Sequence, residues 1–273
     1  MLPPIVLDAR GPCVPSYTEP LLSLARTALV TFRYPDKPTR TTPGVLRTLR
    51  EGHWLAQLKH DGWRAVITWD GSKASLVTRN NQPIAPGAAL AAELARCLRR
   101  LPAGTVLDGE WLGMRRFEVE DPEDWSWRRC RAGEREELVL FDLLYVAGRW
   151  VGDVPALERF RALQQVWRGA SRSRRPGHVR LVTCRLGGYA DLFTASAAAP
   201  LCEGIVLKHR SSTLLGSTSE CQDNPRWLKV KHGLPLVGLP GAATGRARPA
   251  ARTASAPTPQ ARSAAKARLN AAR

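Results

Sequence analysis

One lysine, Lys59, interrupts a run of residues that is otherwise typical of strands. In HWLAQLKHDGWRAVITW (residues 53–69), the apolar or aromatic positions Trp54, Ala56 and Leu58 recur at every second residue, which predicts a half-buried strand. Lys59 and a His-Asp-Gly turn follow, and a second aromatic and β-branched strand completes a predicted hairpin. A lysine amine at the end of a strand is either a nucleophile or a solvated charge, and the rest of the chain decides between them.

Five further short stretches follow Lys59 in a fixed order. Taken alone, each has an ordinary structural interpretation: a Leu-Asp-Gly-Glu is often a turn, a Phe-Asp is often a strand end, and a Lys-x-Lys is usually a solvated edge. Only their ordered combination is informative. The five stretches are TRN (78–80), LDGEW (107–111), LFDLLY (140–145), EGIVLK (203–208) and WLKVK (227–231).

The net charge of the chain indicates the kind of partner. The 273 residues include 41 Lys and Arg against 24 Asp and Glu, which gives a formal charge of +17. A charge of this size attracts polyanions, among which nucleic acid is the commonest inside a cell. An Arg-rich composition inherited from a GC-rich genome is the alternative explanation, and the charge alone does not exclude it.

Several classes of protein are disfavoured by composition. We expect no membrane span, because no run of about 18 apolar residues exists. The N-terminal residues lack the basic and apolar regions of a secretory signal. The six cysteines form no C-x-x-C pair, which argues against a zinc site or a disulfide framework and fits a reduced cytoplasm.

The apolar periodicity predicts an α+β fold of mostly antiparallel sheets flanked by helices, because strands and helices interleave without strict βαβ alternation. No internal repeat is present. The predicted strands cover 54–58, 64–69, 74–78, 105–112, 137–146, 178–184, 204–208 and 227–231, and the predicted helices run from Gly87 to before Pro102, over 156–168 and over 189–199.

The six stretches, in this order, resemble the nucleotidyltransferase motifs of ATP-dependent DNA ligases, which RNA ligases and mRNA capping enzymes share more loosely. The resemblance covers about two-thirds of the chain, from residue 54 to about residue 232. It implies a DNA ligase adenylation-domain-like fold of the covalent nucleotidyltransferase superfamily. It also implies a DNA-repair or recombination enzyme of the cytoplasm that is nucleoid-associated when bound to DNA.

The resemblance implies that Lys59 is the nucleophile. Its amine would attack the α-phosphorus of ATP to give a lysyl-AMP phosphoramidate, and the AMP would pass to the 5′-phosphate of a nick in double-stranded DNA before the strands are joined. Nearby cations, together with Mg²⁺ or Mn²⁺, would offset the charge that builds on the phosphate. The cations expected there are Arg64, Lys229 and Lys231.

The same resemblance implies which residues hold the nucleoside. Arg64 and Glu110 would bind the ribose hydroxyls, and Arg79 would contact the ribose or a nucleic-acid phosphate. Phe141 would stack on adenine, since an apolar ring face suits a planar base. Gln57 lies two residues before the nucleophile, where the family often contacts the base edge. An amide both donates and accepts there, so Gln57 alone does not fix ATP as the nucleotide.

The metal and the phosphates have their own implied ligands. Glu203 would bind the divalent cation, because a carboxylate is a hard oxygen ligand for a hard cation. Glu110 is a second implied metal ligand. Lys229 and Lys231 would reach the α-phosphate of ATP.

The composition changes after Gly233, which predicts a folded domain over 1–233 and a disordered tail over 234–273. The tail holds seven basic residues and no acidic one, and it lacks aromatic residues and an apolar period. A shorter basic insert covers 167–180 and is predicted to be a solvated loop. Both segments are predicted to contact DNA phosphates, with Arg172, Arg174, Arg175, Arg246, Arg248 and Arg252 as the candidate residues.

Ligases of this family usually carry an OB-fold after the last lysine motif, and we expect none here, because a low-complexity segment of 40 residues cannot form a five-stranded barrel. A partner protein would then supply the clamp on DNA. An RNA ligase or another polynucleotide adenylyltransferase is the alternative enzyme. A non-catalytic nucleic-acid-binding relative is a third interpretation, but DNA binding alone does not require Lys59 and Glu203 together.

Overall fold

The computed structural model describes residues 33–118, 125–130, 134–170 and 177–233, which form thirteen strands and a small number of helices. A 3₁₀ helix covers Pro43–Arg47, and the α-helices are α1 (Ala88–Leu98), α2 (Ala156–Ala170) and α3 (Tyr189–Ser196). The strands are β1 (Lys37–Arg40), β2 (Trp54–His60), β3 (Trp63–Trp69), β4 (Ala74–Thr78), β5 (Thr105–Trp111), β6 (Met114–Glu118), β7 (Trp125–Arg129), β8 (Leu138–Val146), β9 (Arg149–Trp150), β10 (Val179–Leu181), β11 (Cys184–Arg185), β12 (Cys202–His209) and β13 (Asp223–Lys231).

The strands form two open sheets and a separate ribbon. The first sheet has the order β1-β13-β12-β2-β11, and the second has the order β10-β8-β5-β3-β4 with β9 paired to β8. The ribbon consists of β6 and β7. Neighbouring strands are antiparallel except in the pairs β1–β13 and β8–β10. The α+β fold of mostly antiparallel sheets flanked by helices is confirmed.

The segment around Lys59 differs from the predicted hairpin. Strand β2 continues through Lys59 to His60, because Lys59 pairs with Gly204 of β12. Strands β2 and β3 belong to different sheets, so the turn at Asp61 and Gly62 carries the chain from one sheet to the other. A side chain at Gly62 would lie 2.6 Å from the Trp111 carbonyl, so only glycine allows this close crossing.

Some elements were not predicted from the sequence, because strand pairing forms them and the local pattern does not show it. Strand β1 is short and has no apolar period. It forms because it pairs with β13. The ribbon of β6 and β7 lies where no strand was predicted. The predicted strand over 178–184 is two strands, because β10 pairs with β8 in the second sheet whereas β11 pairs with β2 in the first.

The helices cover the sheets with their apolar faces. Leu90, Leu94 and Leu98 recur every fourth residue on α1 and are fully buried, which places one face of the helix on the core. Helix α2 packs on β8, and α1 packs on α2, β4 and β10, whereas α3 packs on β2 and β12 of the first sheet. Among the described residues, no helix has the length and apolar character needed to cross a membrane.

A buried ion cluster joins both sheets to helix α2. Asp142 of β8 accepts hydrogen bonds from the Arg159 guanidinium at 2.9 and 3.1 Å and from Lys208 Nζ at 2.8 Å. All three residues are at most 2% exposed. Burial raises the pKa of Asp142, but the two cations outweigh it and hold this pKa well below its usual range. The carboxylate therefore remains charged between two cations from different elements.

We expect Asp142→Ala to destabilise the protein strongly. The substitution leaves the guanidinium and the ammonium buried without a counter-charge, which typically costs about 3–5 kcal/mol of the free energy of unfolding. Urea unfolding followed by circular dichroism measures the change. Asp191→Ala, at an exposed position on α3, is the matched control and should cost less than about 1 kcal/mol. Equal losses in the two variants would contradict a stabilising role for the buried cluster.

Candidate active site

The two sheets enclose a cleft of about 660 Å³. Cavities that bind small molecules usually have volumes of about 300–1,000 Å³. Strands of the first sheet form one wall, and strands of the second sheet form the other. The cleft brings together all nine residues that the motifs singled out around the nucleophile, namely Gln57, Lys59, Arg64, Arg79, Glu110, Phe141, Glu203, Lys229 and Lys231.

At one end of the cleft, the Glu203 carboxylate lies between two ammonium groups. Lys59 Nζ donates to Oε1, and Lys231 Nζ donates to Oε2 at 2.6 Å. Burial raises the pKa of Glu203, but the charges of Lys59 and Lys231 outweigh it and hold this pKa below its ordinary value. Three strands, β2, β12 and β13, supply these three groups, and their antiparallel pairing fixes the arrangement.

Arg64 is held rigidly on the opposite wall. Its Nε donates to Asp108 Oδ1 at 2.9 Å, a second guanidinium nitrogen donates to Oδ2, and a third donates to the backbone carbonyl of Asp36. Burial lowers the pKa of Arg64, but the Asp108 carboxylate outweighs it and keeps this pKa above its usual value. The guanidinium carbon lies 5.6 Å from the centre of the Phe141 ring. Arg64 is therefore a fixed cation beside an aromatic ring.

The Phe141 ring and the Gln57 amide lie deeper in the cleft. Gln57 is 2% exposed, and its Nε2 donates to the Phe141 carbonyl at 3.2 Å. Lys208 Nζ lies 5.2 Å from the centre of the Phe141 ring and 4.3 Å from that of Trp227. Lys208 also lines the cleft, although it was not singled out as a site residue. A cation inside the apolar run of EGIVLK was the signal that could have found it.

Glu110 and Glu203 supply the carboxylates expected for a metal. Burial raises the pKa of Glu110 to about 7, and the charges of Lys59 and Arg64 only partly offset this effect. The Gly62 amide donates to its Oε1 at 3.2 Å. The described residues contain no cluster of three or more potential metal ligands. Two protein carboxylates are typical of a Mg²⁺ site, because Mg²⁺ keeps several of its waters and takes its other ligands from phosphates. They are not typical of a metal that is coordinated by protein groups alone.

Two predicted cations lie towards the opening of the cleft. Arg79 follows the end of β4 and is exposed, whereas Lys229 of β13 is half-buried. Burial and the charges of Lys59 and Lys231 lower the pKa of Lys229 below its ordinary value. The predicted DNA-contacting arginines all lie outside the described residues, as does the tail, so their roles stay predictions: Arg172, Arg174, Arg175, Arg246, Arg248 and Arg252.

Two open sheets around a cleft with a lysine in one wall fit the nucleotidyltransferase domain that the sequence motifs implied. Residues 37–231 match the family model described as the ATP dependent DNA ligase domain, and the chain belongs to this family. A probable DNA ligase of Sorangium cellulosum is 31% identical over 257 residues, which cover 88% of this chain and 46% of that protein. The chain therefore spans about half the length of this curated relative.

Solved structures share the fold. The ligase domain of LigD from M. tuberculosis superposes with a TM-score of 0.53 at 23% identity, covering 73% of this chain and 59% of that one. A mycobacterial DNA ligase D complexed with ATP gives a TM-score of 0.50 at 22% identity, covering 73% of this chain and 60% of that one. At these identities, the similarity shows a common architecture.

His60, the neighbour of Lys59, is a buried imidazole without a hydrogen-bond partner among the described residues. It is 6% exposed, and neither ring nitrogen meets a donor or acceptor in good geometry. Burial, reinforced by the charge of Arg180, lowers the pKa of His60 to about 4. The sequence predicted that His60 lies in a turn. In the structure His60 is the last residue of β2, and its pairing with Cys202 keeps the imidazole buried.

We expect His60→Gln to remove the contribution of His60 to the pH dependence of stability between pH 6.5 and pH 4. In this window the unfolded imidazole binds a proton and the folded one does not, so the stability that His60 contributes falls as the pH falls, and the wild type loses stability relative to the variant. The loss amounts to about 3 kcal/mol over the window. Chemical unfolding at half-unit pH steps measures both profiles. Parallel profiles for the two proteins would exclude His60 as the titrating group.

Proposed function

We propose that this chain adenylates Lys59 with ATP and passes the AMP to the 5′-phosphate of a nick in double-stranded DNA, so that the strands are joined. One observation carries the proposal: residues from six separate stretches converge on a single cleft around Lys59. Membership of the ATP-dependent DNA ligase domain family supports it. The name of the Sorangium relative favours DNA over RNA as the polynucleotide.

The first step is a displacement at the α-phosphorus of ATP. The neutral amine of Lys59 attacks, a nitrogen–phosphorus bond forms, and the bond from the α-phosphorus to the bridging oxygen breaks, so that pyrophosphate leaves. The Lys59 ammonium must first lose one proton to solvent, and Glu203 must release the amine, because an ammonium has no lone pair to donate. A second proton leaves to solvent once the nitrogen–phosphorus bond has formed. Lys229 and Lys231 both lie on β13, two strands away from Lys59 in the first sheet, and they line the same cleft, where they are placed to stabilise negative charge on the phosphate.

The inner part of the cleft suits adenine. The half-buried Phe141 ring lines the cleft and is the proposed surface for stacking. Because Gln57 Nε2 is engaged by the Phe141 carbonyl, its Oε1 is left to accept a hydrogen bond from the base. The exocyclic amino group of adenine donates such a bond, whereas the corresponding oxygen of guanine does not. The Arg64 guanidinium and the Glu110 carboxylate are the proposed ligands of the ribose. Arg79 is the proposed contact to the ribose or to a nucleic-acid phosphate.

Glu203 and Glu110 are the proposed ligands of Mg²⁺ or Mn²⁺. A divalent cation bound to phosphate oxygens supplies positive charge where the transition state is negative. The protein would contribute hard carboxylate oxygens from opposite walls of the cleft, with Glu203 on the first sheet and Glu110 on the second.

We expect Lys59→Ala to abolish covalent labelling by ATP carrying ³²P in its α-phosphate, because no other amine replaces the nucleophile. Glu203 keeps Lys231 as a partner in this variant, so the fold should survive, which circular dichroism checks. Lys73→Ala is the matched control, since Lys73 is exposed in the β3–β4 turn and lies outside the cleft. Acid-labile label on Lys59→Ala equal to that on the control would refute the assignment.

Strand-joining assays test which polynucleotide is the substrate. Nicked duplexes of DNA, of RNA and of a DNA–RNA hybrid, each with a 5′-phosphate, are incubated with ATP and Mg²⁺ and resolved on denaturing gels. We expect joining of the DNA nick, and no joining when the nick carries a 5′-hydroxyl, because AMP then has no acceptor. Joining of nicked RNA in preference to DNA would assign the chain to the RNA ligases instead. A partner that supplies a clamp stays a prediction.

A further inference from the structure

Three of the cations that line the cleft have no close carboxylate partner among the described residues. Lys59 and Lys231 are paired with Glu203, Arg64 with Asp108, and Lys208 with Asp142. Among the described residues, the other three cations that line the cleft have no carboxylate closer than 4.0 Å, and these are Lys37, Arg79 and Lys229. Cations without a close counter-charge are suited to hold an anion. Lys37 lies outside the six stretches and has no role in the proposed function.

Lys37 has only a weak partner. Its Nζ lies 4.0 Å from Asp223 Oδ1, and the two side chains are 38% and 66% exposed. An ion pair with this separation and exposure contributes little to stability. The ammonium is therefore available to a ligand that enters the cleft.

The backbone beside Lys37 is fixed by its neighbour, Asp36. The Asp36 side chain is fully buried, and its Oδ2 accepts hydrogen bonds from Asn224 Nδ2 at 2.7 Å and from the Leu215 amide at 3.0 Å. The Asp36 carbonyl accepts a bond from Arg64 of the opposite wall. Asp36 thus ties the start of β1 to both walls, and the next side chain, Lys37, is held at the cleft.

The position of Lys37 relative to the other cations indicates what it binds. Strand β1 runs parallel to β13, which carries Lys229 and Lys231 into the same cleft. The charge of Lys37 is among those that lower the pKa of Lys229, so the two ammonium groups lie within electrostatic reach of each other. A ligand that contacts both groups must carry more than one negative charge or several acceptor oxygens, as phosphate groups do.

We infer that Lys37 is a phosphate-binding residue of this cleft, held in position by Asp36. Its ligand is a phosphate group beyond the α-phosphate of the nucleotide. That group is either the β- and γ-phosphates of ATP or the 5′-phosphate of the nick. The inference rests on the proposed function, because it takes ATP and a nicked strand as the occupants of the cleft.

The test compares ATP with AMP. Calorimetric titrations of both nucleotides, in EDTA to prevent adenylation, are made on wild type, Lys37→Ala, Lys37→Arg and the control Lys73→Ala. If Lys37 contacts the β- and γ-phosphates, Lys37→Ala should weaken ATP binding by about 10-fold, near the low end for a hydrogen bond to a charged group. AMP binding should change by less than about 2-fold, since the ligand then lacks those phosphates. Lys37→Arg should restore most of the ATP affinity.

A second measurement distinguishes the DNA source. Binding of nicked duplexes with a 5′-phosphate and with a 5′-hydroxyl is compared for the same variants. If Lys37 contacts the nick, Lys37→Ala should remove the preference for the 5′-phosphate and leave ATP binding unchanged. Lys37→Ala values equal to those of Lys73→Ala in both measurements would overturn the inference, as would equal losses for ATP and AMP, which indicate a structural effect.

Failure of the Lys37 inference can be distinguished from failure of the proposed function. If wild type binds ATP more tightly than AMP through Lys37 but acquires no covalent label, the adenylation proposal fails and the phosphate contact stands. If wild type labels normally and Lys37→Ala binds every ligand as the control does, the adenylation proposal stands and the phosphate contact fails.

Discussion

The Asp142 carboxylate, held between Arg159 and Lys208, is the contact on which the arrangement of the cleft depends. Its strand belongs to the second sheet, Lys208 belongs to the first, and Arg159 belongs to the helix that covers the core. Three buried charges tolerate little relative movement, because any gap leaves a charge unpaired in a poorly solvated interior. The cluster also places Lys208 beside the Phe141 ring. The same carboxylate therefore fixes the sheets and the inner end of the cleft.

The cleft itself is built from strands, and this explains how rigidly its charges are held. Glu203 faces Lys59 and Lys231 because β12 lies between β2 and β13 in a continuous antiparallel sheet. The orientation of the Arg64 side chain is fixed by its hydrogen bonds to Asp108 on the adjacent strand and to the Asp36 carbonyl. These groups are positioned before any ligand binds, which reduces the entropy that binding and reaction would otherwise cost.

Much of the fold and of the site was predictable because it depends on local or ordered features of the chain. Alternating apolar residues identified most strands, and a segment from Gly87 that is rich in Ala, Leu and Arg and ends before Pro102 identified α1. The missed elements, β1 and the β6–β7 ribbon, have weak local patterns and arise from pairing with a partner strand. The division of 178–184 between two sheets was missed for the same reason, since strand propensity does not specify the partner.

The sequence by itself determined the family, because six short stretches in a fixed order are typical of it, and it predicted nine residues that the structure brings together in one cleft. Only the tertiary structure decided how those residues are paired. It placed Glu203 between two lysines, enclosed His60 without a partner, and brought Lys37 to the cleft through Asp36 and Asn224. Asp36 and Asn224 are separated by 188 positions in the chain, and such contacts follow from strand register and sheet packing, which local sequence does not encode.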